Sequence, residues 1–153
     1  MKVFEFIQRT YRVKALKNTL PSAIGTMAQN FFQENFYKQG FDDKGIKRWQ
    51  SRRGEISGGI ARVKKKTKGA RAILVDTGNL RDGIYVKRAT FSKITIASDA
   101  KYAKIHNEGL KGRAWGKHNF TMPKRQFMGE SENLKKKIEA KIAKEIKKAL
   151  LGR

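Results

Sequence analysis

Residues 131–152 allow one regular structure. Leu134, Ile138, Ile142, Ile146 and Leu150 recur every four residues and are joined by Ala149, while lysines occupy the other faces. An apolar stripe at that spacing is one side of an amphipathic helix. Ser131 stands where an N-cap is needed, and Glu130 and Glu132 lie near the positive end of the helix dipole. Lys147 and Lys148 lie near its negative end, and Gly152 stands at the position of a C-cap glycine. Such a helix draws most of its stability from whatever covers its stripe. The basic face would suit a membrane surface or a peptide target, but the apolar face has no Trp or Phe of the kind interfacial helices carry. The stripe is therefore expected to pack on the chain's own sheet.

The remaining segments supply partners in a definite order. Ile24, Met27, Ala28, Phe31 and Asn35 fall on one helical face, with Phe32 and Phe36 beside them. That pattern predicts a helix from near Phe4 to about Phe36, with a break or offset at Pro21, since Pro belongs in a helix's first turn. Gly40 offers a stop and Phe41 to Gly45 reads as a turn. Ile73-Leu74-Val75 reads as a short strand and Asp76-Thr77-Gly78-Asn79 as a turn. Ile84 to Lys87 and Ile94 to Ala97 alternate with period two, which predicts an antiparallel hairpin burying Ile84, Val86, Ile94 and Ile96. Ala100 to Asn107 reads as a short helix or turn ended by Gly109, Leu110 to Asn119 as a basic loop, and Phe120 to Pro123 as an extended edge. Helix, strands, helix in that order predict an α+β fold, a single domain over residues 1–153.

One stretch has no apolar period. Residues 50–70 hold Arg52, Arg53, Arg62, Lys64, Lys65, Lys66 and Lys68, and so much like charge predicts a mobile loop. These seven side chains are the candidate contacts to phosphate or to a partner. No aromatic residue interleaves with them, so base stacking is not expected there. The whole chain shares the bias, with 36 Lys and Arg against 13 Asp and Glu and a formal charge of +23. That charge points to an anionic partner without choosing between nucleic acid, an acidic protein surface and a membrane. Nine Phe, four Tyr and two Trp are too many for a disordered basic chain.

Catalytic readings fail one by one. With no cysteine, disulfides, thiolate metal sites and Cys nucleophiles are excluded. Leu74-Val75-Asp76-Thr77-Gly78 is similar to the turn of aspartic proteases, but Asn79 follows where those enzymes keep a small residue. Gly83-Ile84-Tyr85 is half of a GIY-YIG nuclease signature whose other half is missing. His106-Asn107-Glu108 lacks convergent ligands, since His118 is the one other histidine. Neither a secretory leader nor a membrane-spanning segment is expected, because Val3 to Ile7 is too short and too charged for the first and no apolar run reaches the length of the second.

Four motifs stand in a recognisable order. An aromatic helix end, Phe31 to Phe36, leads through Gly40-Phe41-Asp42-Asp43 to Trp49. Asp76-Thr77-Gly78-Asn79-Leu80-Arg81 comes next, then Tyr102-Ala103-Lys104-Ile105-His106-Asn107-Glu108-Gly109, then Pro123-Lys124-Arg125-Gln126-Phe127-Met128-Gly129 before the last helix. Together they resemble the phage virion morphogenesis family, the tail-completion proteins of Mu-like phages. The turn after Gly40 lacks the proline often seen there, and the basic 50–70 segment is unusual for the family. The resemblance implies no cofactor, no catalytic residue, and motif residues that shape the fold. It implies a virion component that assembles in the host bacterial cytoplasm, a homo-oligomeric ring among other tail or neck proteins, with no membrane partner. The alternative is a basic nucleic-acid-binding module, and non-specific DNA contact is compatible with both.

Overall fold

The computed structural model describes residues 2–51, 72–114 and 118–151. The basic loop expected at about 50–70, with all seven of its candidate contact residues, lies outside the described residues but for its first two positions.

Helix α1 (Lys2–Lys38) is the spine. It passes through Pro21 without the expected break. An interior proline removes one backbone hydrogen bond and crowds the preceding turn, yet Leu20, Pro21 and Ile24 are all buried, and the packing of this stretch holds the helix together across the defect. The helix stops at Lys38, two residues before the glycine read as its terminator. Gln39 takes the left-handed conformation (φ 52°). Its side-chain amide bonds the carbonyls of Phe36 and Ile73 and accepts the Ile73 N–H, which fixes a conformation a non-glycine residue rarely holds.

Gly40 begins a hairpin instead. Strands β1 (Gly40–Asp42) and β2 (Ile46–Arg48) pair antiparallel, so the turn read over residues 41–45 is shorter and its start is strand. A second correction falls at Ile73-Leu74-Val75, which forms a turn and not a strand. Leu74 has φ 59°, and Val75 donates back to the Ala72 carbonyl at 3.2 Å. Helix α2 (Asn79–Asp82) follows Gly78 directly.

The hairpin predicted from period two is present as β3 (Ile84–Ala89) and β4 (Ile94–Ser98). Its inner face lies on α1, where Gly25 leaves room: a Cβ there would meet Val86 at 3.0 Å and Ile94 at 3.7 Å. Ile84 is fully buried, and Val86, Ile94 and Ile96 are partly so. Helix α3 (Ala103–Glu108) ends at Gly109 in the left-handed conformation, as read. The basic loop read over 110–119 is instead a third ribbon, β5 (Lys111–Ala114) with β6 (His118–Thr121), which takes in the first part of the extended piece at 120–123. Among the described residues the strands form three two-stranded ribbons. The fold is α+β.

Helix α4 (Glu132–Leu151) closes the structure. Ser131 caps it as expected, its Oγ accepting the Leu134 N–H at 3.1 Å. Its partner is α1 and not the sheet. Leu134 and Ala149 are buried against the body, whereas Ile146 and Leu150, at 41% and 45% exposure, leave the stripe partly uncovered at its far end. The core is aromatic: Phe36 meets Trp49 edge to face at 5.4 Å and Phe127 at 5.2 Å, with Phe31, Phe32, Phe41, Leu80 and Ile84 around them.

Candidate functional site

The four sequence motifs converge on one end of the spine. Leu80 is buried, and α2 is held to α1 by the Gln33 amide, which donates to the Arg81 carbonyl at 3.3 Å. The Arg81 guanidinium forks onto the Asp82 carboxylate at 2.7 and 3.0 Å, donates to the Tyr37 hydroxyl at 3.1 Å and covers its ring at 5.2 Å. Thr77 contributes a long bond from the Asn79 N–H to its hydroxyl at 3.4 Å. Gly78 has φ 88°, and a Cβ on it would lie 2.8 Å from the Asp82 carboxylate. Gly78→Val therefore strains the backbone and displaces Asp82 from Arg81. A loss of about 1–3 kcal/mol is expected, read as a lower denaturation midpoint, and an unchanged midpoint would mean the turn tolerates a side chain.

The third and fourth motifs are one joint. The Arg125 N–H donates to the His106 carbonyl at 2.8 Å, and the Phe127 and Met128 N–H groups donate to the Asn107 side chain at 2.9 and 3.0 Å. Gly109 turns the chain away with φ 73°, and a Cβ there would lie 2.8 Å from the Lys124 backbone, which leaves glycine as the residue that fits. Ala103 and Pro123 are half-buried on either side of this joint, and Gly129 releases the chain toward α4. Arg125 is buried, its Nε donating to the Gln50 carbonyl at 3.0 Å, and the Trp49 indole donates to the Gln126 carbonyl at 2.6 Å.

Between the motifs is a cleft of about 330 Å³, lined by residues 73–80 together with Tyr102, His106 and Arg125. Tyr102 stands edge-on to His106 at 5.8 Å. The His106 Nδ1 is buried with no hydrogen-bond partner among the described residues. Burial, and then the Arg125 guanidinium, push the imidazole pKa below its ordinary 6.5. The native state thus resists a proton that the unfolded chain accepts, so this contribution is complete above 6.5 and is lost as pH falls below it. His106→Asn should flatten the stability–pH curve in that window, and an unchanged slope would place its origin elsewhere. Among the described residues no group of His, Asp and Glu converges as metal ligands.

Several residues central to this end are not among the candidate site residues read from the sequence. Asn35 is wholly buried; its Nδ2 donates to the Phe127 carbonyl at 3.0 Å and its Oδ1 accepts the Asp42 N–H at 3.1 Å. An Asn within an otherwise apolar helical face was the available signal. Asp42 in turn accepts from Asn133 at 2.6 Å and from Lys38 at 2.7 Å, and the Lys38 hydrogen bond holds its carboxyl below the ordinary range.

The model of the phage virion morphogenesis family matches residues 2–147, nearly the whole chain. The chain belongs to that family. No curated protein and no solved structure matches it. Phage virion morphogenesis is therefore the setting of this protein. Among the described residues no helix is long and apolar enough to cross a membrane.

Proposed function

We propose that this protein completes the tail or joins it to the head, acting as a ring of copies retained in the virion after assembly in the host cytoplasm. The observation that carries the reading is the fate of the motifs. Thr77, Gly78, Leu80, Arg81, Gly109, Arg125 and Phe127 are engaged in turns, packing and interelement bonds, and no proton relay is assembled at His106 among the described residues. Residues so used build a platform whose work is done by its surface, by binding and not by turnover. Infected cells lacking the protein should accumulate filled heads and separate tails, and purified protein should restore joining in their extract. Normal infectious particles without it would refute the role.

The net charge of +23 favours a second reading, a basic module that grips nucleic acid. A pure binding module holds duplex DNA tightly as a monomer, whereas a ring component requires its assembled partners. Binding that survives moderate salt with a sequence preference would promote the module.

A further inference from the structure

Helix α1 is longer than anything that packs on it in the described structure. At ~1.5 Å per residue its 37 residues span about 55 Å, and the 20 residues of α4 about 30 Å. Helix α4 starts at the C-terminal end of α1, where Ser131 and Asn133 bond Asp42, and runs back along it. Lys137 lies over the Phe31 ring at 5.1 Å, and Lys141 shares a groove with Ala23 one stage further back. The β3–β4 hairpin reaches as far as Lys17, whose ammonium is 5.9 Å from the Phe91 ring. Leu20 is the first buried residue of α1 among those whose exposure is described, and from Ile7 to Thr19 every side chain is exposed except the half-buried Leu16.

This projecting stretch is neither polar all round nor neutral. Ile7, Tyr11 and Val13 are 43%, 69% and 40% exposed. At roughly 100° per residue Ile7 and Tyr11 form one stripe, while Val13 and Leu16 fall on nearly the opposite side. Arg12 and Lys17 stand between the two sides, Lys14 borders the Ile7–Tyr11 stripe, Arg9 falls among Val13 and Leu16, and residues 7–19 contain no acid.

We propose that the projecting half of α1 inserts into an apolar groove rimmed by carboxylates on an acidic protein of the phage particle. The inference rests on the assembly reading above. The exposed Ile7–Tyr11 pair is an i, i+4 apolar anchor flanked by cations, the pattern of a helix laid into an apolar groove with an acidic rim. A lipid surface takes a broad apolar face, wider than the Ile7–Tyr11 stripe that Lys14 and Asn18 adjoin, and a phosphate backbone would leave that stripe in water. Contacts between copies in the ring would use a less basic surface, since here four cations would approach a body whose formal charge is +23.

The test uses the full chain with a photo-reactive benzoylphenylalanine at Tyr11, incorporated into completed particles and irradiated. A cross-link to one particle protein of net acidic sequence is the expected product. The double variant Ile7→Asp/Tyr11→Asp should keep its melting temperature, because both side chains are exposed, yet enter particles about tenfold less, the scale of losing interface anchors. A cross-link to a second copy, to DNA or to phospholipid would overturn the proposal. So would the absence of any cross-link, or normal incorporation of the double variant. Particles that form normally and contain none of the protein would defeat the assembly reading itself, and with it this one. Particles that contain it but show no Tyr11 product would defeat this inference alone.

Discussion

Phe127→Ala should cost about 3–5 kcal/mol, the range for truncating a buried phenylalanine. Phe127 is 1% exposed and packs on Phe36 at 5.2 Å, in contact with the aromatic group that holds the C-terminal end of α1. Small domains have only about 5–15 kcal/mol in total, so the variant should lose a large share of its stability. Urea unfolding should show a lower midpoint with an unchanged slope, and Phe127→Leu should lose less because it leaves a smaller void. Head–tail joining should fail with Phe127→Ala, whereas folded variants at Asp76 or His106 should still support it. A Phe127→Ala protein as stable as the parent would mean the aromatic cluster is not the core.

Asn35→Leu probes the same region by a different physical route. The side chain keeps its volume, so no cavity forms, but the Asp42 N–H and the Phe127 carbonyl lose their partners. Each buried polar group left unpaired costs about 1–3 kcal/mol, which gives a loss of about 2–6 kcal/mol for the pair. Because Asn35 bonds the backbone of Phe127, the two substitutions should not be additive, and a double-mutant cycle should return a coupling of about 0.5–3 kcal/mol. Additive losses would show that the hydrogen bond does not link the two sites energetically.

Local pattern revealed the elements whose pattern is local. The β3–β4 hairpin was legible because alternating residues bury one face on α1, and α4 because its cap and stripe are self-contained. Ile73-Leu74-Val75 misled because β-branched residues suit a strand, while here the Gln39 side chain takes the Ile73 backbone groups and no ladder remains for them. The β5–β6 ribbon gave no period because its sequence is charged and polar, and its pairing shows in backbone hydrogen bonds that side-chain pattern does not encode. Pro21 misled because helix propensity is a weak prior and tertiary packing overrode it.

The site was legible as motifs but not as an arrangement. Tyr102 to Gly109 and Pro123 to Gly129 stand apart in the sequence, yet they are joined through Asn107, and Asn35 reaches Phe127 across 92 positions. Such pairings are set by the whole fold, and no spacing rule predicts them. The projecting half of α1 was equally hidden, since its exposed apolar residues look like a core face until the structure shows that nothing described covers them.

The most direct test of the assembly role is a titration. Extract from cells lacking the protein, holding filled heads and separate tails, receives increasing amounts of the purified chain, and joined particles are counted by electron microscopy. A component retained in fixed number per virion should give a linear rise to a plateau, with the equivalence point moving in proportion to the number of tails supplied. Full joining by trace amounts, independent of tail number, would contradict the account and point to a protein that acts by turnover.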